Sequence, residues 1–174
     1  MKSMDYKFEQ ARISQLEEIW KIIKCAINRR KQDGSNQWQD GYPNPSVIED
    51  DIKKGVAYVI RNESDIIGYC AVLNNEPEYV NIKGKWLTDS DYLVFHRVAI
   101  SEKYLRQGFS KLMLRFIESL AIDKNIFSIK ADTNFDNQAM LALFKKNGYS
   151  YCGEVSFRGS SRKAFEKVLK AVNH

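Results

Sequence analysis

The sequence Val98-Ala99-Ile100-Ser101-Glu102-Lys103-Tyr104-Leu105-Arg106-Gln107-Gly108-Phe109-Ser110 passes from an apolar run into a short polar loop and then straight into an amphipathic pattern. Residues 92–100 carry Val, Phe and Ile throughout and predict a buried strand. From Gly108 onward, Phe109, Leu112, Met113, Phe116, Ile117 and Leu120 fall at i, i+3, i+4, i+7, i+8 and i+11, the apolar stripe of a helix. A strand that enters a helix through such a loop aims several N–H groups, and the positive end of the helix dipole, at one spot. That spot suits phosphate. Gly108 lets a ligand come close to the backbone, and the small Ser110 leaves room in the first turn. No Gly-Lys-Ser/Thr follows, so this is not a Walker loop, and the GxGxxG spacing is absent.

The pattern can be followed outward in both directions. Residues 6–12 alternate weakly and predict a first strand. Ser14 with Glu17 reads as a capping box for a helix that carries Leu16, Ile19, Trp20, Ile23, Ala26 and Ile27 and ends near Arg30. A loop over 32–45 follows. Ser46 with Glu49 reads as a second box, opening a short helix that stops at Gly55. Residues 56–61 and 66–73 predict a hairpin. Residues 74–91 are polar, with Tyr79, Ile82 and Trp86 as their apolar anchors. Beyond the central helix come a strand over 126–132 and a helix over 137–147 closed by Gly148. Two last strands follow, over 149–157 and 162–168. The fold class is α/β, one domain over 1–174, with a parallel crossover around the helix that begins near Gly108.

Composition excludes more than it selects. The chain has 174 residues, 44% of them hydrophobic, enough for one buried core. No apolar run is long enough for a bilayer, and residues 1–10 lack an apolar signal centre, so a cytoplasmic protein is expected with no membrane partner. Cys25, Cys70 and Cys152 are odd in number and far apart, and only two histidines exist, so no metal site is expected. The net charge of +5 permits an anionic partner. Its Lys/Arg groups are short and no nucleic-acid motif accompanies them, so nucleic acid is not expected.

At Leu105-Arg106-Gln107-Gly108-Phe109-Ser110 the chain resembles the GNAT superfamily of acyl-CoA-dependent N-acetyltransferases, whose pyrophosphate loop reads Arg/Gln-x-x-Gly-x-Gly/Ala. The central glycine matches; Leu105 and Ser110 depart from the pattern. A second likeness lies in Asn137, Met140, Leu143 and Phe144, closed by Gly148-Tyr149, similar to the family's Asn-x-x-Ala-x-x-Leu-Tyr helix ending in Gly-Phe. Phe144 stands where the family often has a tyrosine that protonates the leaving thiolate. The resemblance spans about residues 6–168.

What the resemblance implies is a mixed, mostly antiparallel sheet of about seven strands with about four helices and a splayed central parallel pair. Acetyl-CoA is the implied donor, and a homodimer stays open. The backbone of Val98 and Ile100 would bond the cofactor amides, an N–H at Val98 or Ala99 would face the thioester oxygen, and Arg106, Gln107, Gly108, Phe109, Ser110 and Lys111 would hold the pyrophosphate. Asn137 would touch the pantetheine arm. An amine would attack the thioester directly, without a covalent enzyme intermediate. An ammonium with a pKa near 10.4 costs about 4.6 kcal/mol to deprotonate at pH 7, so a base is expected. His96 is the candidate, directly or through water, since an imidazole can accept a proton near neutrality. By alternation it shares a side of its strand with Val94 and Val98. Glu78 or a water chain is the fallback. Tyr149, Tyr151 or solvent would protonate the thiolate in place of Phe144. Trp38 and Tyr42, two aromatics in a Gly/Pro-containing loop, are expected to line the acceptor pocket. The competing readings are a catalytically silent acyl-CoA-binding regulatory module and, on charge alone, a nucleic-acid-binding domain.

Overall fold

The computed structural model describes residues 5–171. The elements are β1 (Lys7–Gln10), α1 (Leu16–Gln32), α2 (Pro45–Lys53), β2 (Ala57–Arg61), β3 (Ile66–Leu73), β4 (Lys83–Gly84) and β5 (Leu93–Ile100), then α3 (Phe109–Asp123), β6 (Ser128–Thr133), α4 (Gln138–Lys146), β7 (Ser150–Phe157) and β8 (Ser160–Val168). The strands form one sheet of eight in the order β1-β2-β3-β5-β6-β8-β7-β4. The pairs β1–β2, β2–β3, β6–β8, β7–β8 and β4–β7 are antiparallel; β5–β6 is parallel. The expected mixed sheet with a central parallel pair is thus observed. The additional strand is β4, two residues long, within the polar stretch 74–91 where no periodicity announces a strand.

Two helix starts differ from expectation. Ser14 lies inside a 3-10 turn (Ile13–Gln15), and the side chain of Gln15 accepts the Arg12 N–H at 2.8 Å. At α2, Pro45 occupies the first turn, where its missing N–H is no loss, and the Asn44 side chain caps Val47 N at 3.2 Å. In neither case does the serine cap the helix: Gln15, just after Ser14, and Asn44, just before Ser46, do so instead. The predicted end of α4 is observed. Gly148 is left-handed (φ 82°), and Tyr149 N donates to Phe144 O at 3.1 Å, which satisfies a carbonyl the helix leaves open.

By contacts the chain divides into two compact units, residues 1–72 with 97–113, and residues 73–96 with 114–174. The first has a core of Ile19, Ile23, Ile48, Val59, Tyr69 and Ala99 among others, with Trp38 in it. Gly68 lets β3 and β5 close up: a Cβ there would meet Ile100 Cδ1 at 2.8 Å and Met113 Cε at 3.0 Å. The second unit is built around Tyr79, Val94, Val155 and Ala164. Phe144 packs there among Phe165, Tyr149 and Phe95, with ring centroids 4.7, 5.2 and 6.1 Å away.

Candidate active site

In the first unit, β5 ends in the loop and helix start on which the sequence reading rests. Val98, Ala99 and Ile100 are buried; Arg106, Gln107, Gly108 and Lys111 are exposed. Gly108 has φ 84°, and a Cβ placed on it would meet nothing within 4 Å, so only its backbone conformation, and no crowding, calls for glycine. Arg106 is also left-handed, φ 62°. Leu112 N donates the first helical bond to Gly108 O at 3.1 Å. The N–H groups of Phe109, Ser110 and Lys111 precede that bond and have no partner within the helix. Phe109 holds the turn by edge contacts to Tyr6 (5.1 Å) and Tyr104 (5.6 Å). Arg29 Nη2 donates to Ile100 O at 3.0 Å, so one lone pair of a carbonyl expected to meet the cofactor is already used.

One residue before Val98, the alternation of β5 is broken. Arg97 is left-handed, φ 57°, a conformation that costs a non-glycine residue about 1–2 kcal/mol. The expectation that His96 and Val98 share a side rested on unbroken pleating, which a left-handed residue between them removes. Arg97 Nε and Nη2 donate to Asp51 Oδ2 and Oδ1 at 2.9 and 2.7 Å, and Nη1 donates to the Tyr42 hydroxyl at 2.5 Å. Tyr69 also donates to Asp51 Oδ2, at 2.6 Å. Burial works against the Arg97 charge, but the Tyr42 and Asp51 oxygens outweigh it and hold the guanidinium above its ordinary range. Burial, then the Asp51 charge, push the Tyr69 phenol up. Trp38, expected on the acceptor surface, is 6% exposed, with Arg30 over its ring at 5.0 Å. It packs into the core of the first unit. Asp51 and Arg97 were not singled out in the sequence, where an Asp inside a helix and an Arg inside a strand carry no pattern.

In the second unit, His96 lies between two carboxylates. Its Nε2 is 2.9 Å from Glu76 Oε2, and its Nδ1 is 3.8 Å from Asp132 Oδ2. Tyr79 donates to the same Asp132 oxygen at 2.6 Å; burial, then the Asp132 charge, raise its phenol well above the ordinary value. Arg162 Nη1 is 3.8 Å from Asp132 Oδ1. Glu78, the fallback base, is exposed, and its N–H donates to Glu76 Oε1 at 3.5 Å. The carboxylate beside the histidine is that of Glu76. Asn137 caps α4 by accepting from Met140 N at 3.1 Å, so its carboxamide already has structural work. The two tyrosines named as proton donors differ. The Tyr149 hydroxyl is buried without a hydrogen-bond partner among the described residues and is pushed up by burial, then by Glu118; Tyr151 is 56% exposed. Among the described residues no group of three or more His, Cys, Asp or Glu could hold a metal ion, and no helix is long and apolar enough to cross a membrane.

Comparison with known proteins agrees with this architecture. Residues 18–149 match the model of the acetyltransferase (GNAT) family. A GNAT-family acetyltransferase structure from Streptococcus agalactiae is 34% identical, with 95% of this chain and 96% of that chain covered and a TM-score of 0.85. A GNAT-family acetyltransferase structure from Listeria monocytogenes, 19% identical over 97% of each chain with a TM-score of 0.77, shares the fold. The uncharacterised N-acetyltransferase YesJ of Bacillus subtilis (strain 168) is 24% identical over 142 residues, 79% of this chain and 76% of its own length.

Proposed function

The chain belongs to the GNAT acetyltransferase family, and we propose that it moves an acetyl group from acetyl-CoA to a primary amine of a small molecule or peptide, by direct attack of the amine. The observation that carries this reading is the end of β5: an exposed, left-handed Gly108 opening α3, with open space over its Cα and helix N–H groups behind it. Those features fit a pyrophosphate, which needs donors and close backbone approach more than particular side chains. Acetyl-CoA supplies the activated acetyl thioester. Gly108 to Lys111 bind its phosphates through the backbone, with Arg106 and Gln107 at the rim. Val98 or Ala99 directs an N–H at the thioester oxygen, where charge develops.

The acceptor must lose a proton, and His96 is the proposed acceptor of it. If Nε2 keeps its proton and donates it to Glu76, Nδ1 presents a lone pair. At 3.8 Å, Asp132 is too far for a hydrogen bond to Nδ1, which leaves that lone pair uncommitted. The two carboxylates then offset the imidazolium charge, as a buried aspartate does in a catalytic triad. Tyr42 contributes acceptor surface from its loop. The silent-module reading retains one supporting observation, the buried Phe144 in the place of the family tyrosine.

The first test is thermal: acetyl-CoA at 100 times Kd should stabilise the native state by about 2.7 kcal/mol. An unshifted melting temperature, beside a control acetyltransferase that shifts, defeats the reading. The second is free-thiol release with polyamines, aminoglycosides, amino acids and N-terminal peptides. Binding without release for any amine would favour the silent module.

A further inference from the structure

Beyond the cofactor loop and the histidine, one buried network ties together segments that are far apart in sequence. Arg97 is held by two other stretches at once: Asp51 of α2 takes two of its N–H groups, and Tyr42 of the loop before α2 takes a third. The geometry points to Asp51 as a positioning residue that, through Arg97, fastens the loop over 33–44 to the bend of β5 just ahead of Val98. A left-handed arginine persists only where its surroundings over-determine it, and here three oxygen contacts do so. A buried ion pair adds little net stability over an apolar filler of the same volume. A bidentate fork, by contrast, permits one arrangement of its partners. The network therefore suits a need for exact placement better than a need for stability.

The consequence for chemistry rests on the acetyl-transfer reading above. In that reading Val98 or Ala99 faces the thioester and the Tyr42 loop meets the amine, so this network sets the spacing of the two reactants. Tyr42 is then limited in a specific way: its hydroxyl is committed to Arg97, and it offers the acceptor its ring.

The experiment compares wild type with Asp51→Asn and Tyr42→Phe by two readouts. The first is limited chymotrypsin cleavage after Trp38, which is buried in the native loop and is cut only when the loop opens; Tyr42 itself is followed by Pro43 and is a poor site. Cleavage in both variants should accelerate about tenfold or more, the scale of one lost hydrogen bond to a charged group. The second readout is kinetic: kcat should fall about tenfold or more from misplacement, while the acetyl-CoA Kd stays within about twofold of wild type. A general loss of folding would move both constants together. Unchanged cleavage in Asp51→Asn overturns the proposal, and so does a fall in activity matched by an equal loss of acetyl-CoA affinity. Should Asp51→Asn fail to fold, Tyr42→Phe, which removes one hydroxyl, decides alone by the same cleavage criterion. A wild type that neither binds acetyl-CoA nor releases thiol would defeat the acetyl-transfer reading, while the cleavage result would still decide whether the loop is fastened.

Discussion

The loop over 101–111 and the group around His96 are built from opposite materials. In the loop the backbone carries the proposed chemistry: left-handed Arg106 and Gly108, a helix start, and side chains that mostly face solvent. Around His96 nearly everything is side chain: Glu76 and Tyr79 from the segment between β3 and β4, Asp132 from β6, and Arg162 from β8. A backbone site tolerates many substitutions and forbids a few. A side-chain site has several members, each of which matters. Leu105 and Ser110, which depart from the pattern the resemblance implies, leave the left-handed backbone of the loop in place.

The largest effect expected from this contrast is at Gly108. Gly108→Asp should weaken acetyl-CoA about a hundredfold or more, since it loses charge-assisted bonds and adds repulsion. Folding should suffer by only about 1–2 kcal/mol, because no atom crowds the new side chain and the cost is that of a left-handed residue. Gly108→Ala carries the same backbone cost without the charge, so equal losses of affinity in the two variants would show that conformation, and not repulsion, governs the loop. Titration calorimetry with circular dichroism measures both.

At His96 the expected loss is in turnover. His96→Gln keeps hydrogen bonding to Glu76 and removes basicity, and kcat should drop about 10²-fold with loss of the acid limb of the pH profile. An unchanged kcat and profile would end the base assignment. Glu76, the carboxylate beside the ring, would then be tested next, together with Glu78.

Phe144→Tyr asks whether the second unit has room for the tyrosine hydroxyl that the family resemblance implies at this place. Phe144 is fully buried among three aromatic rings, so an added hydroxyl without a partner should lower stability by about 1–3 kcal/mol. Stability equal to wild type with raised turnover would mean that the hydroxyl reaches a partner and the family's proton donor can be restored.

The smallest effect belongs to a pair outside both regions. Glu9 and Arg61 join β1 to β2, and the hydrogen bond from Arg61 holds the Glu9 carboxyl below its ordinary value of 4.5. With the folded value depressed, the contribution is present above the ordinary value and disappears as pH falls through the lower one. Both side chains are partly exposed, so Glu9→Gln should cost about 0.2–1 kcal/mol at pH 7, and progressively less as pH falls below the ordinary carboxylate range, by denaturant melts across that pH range. A cost that persists at low pH would point to packing of the strand edge instead of charge.

The sequence by itself determined the order of the helices and main strands, the glycine that opens α3, and the glycine that closes α4, because each rests on neighbours a few residues apart. Periodicity, caps and left-handed turns are local physics and leave local marks. It fell short where the mark is weak or the cause is distant. β4 is two residues long and has no period to detect. The alternation of β5 was read as unbroken because nothing in the local sequence announces a left-handed arginine; Asp51 and Tyr42, some fifty residues upstream, hold it there. Only the tertiary structure could seat Trp38 in the core, set Glu76 beside His96, and bring Asp132 to the same ring, since which side chains meet is decided by how separate strands and loops pack, not by their spacing along the chain.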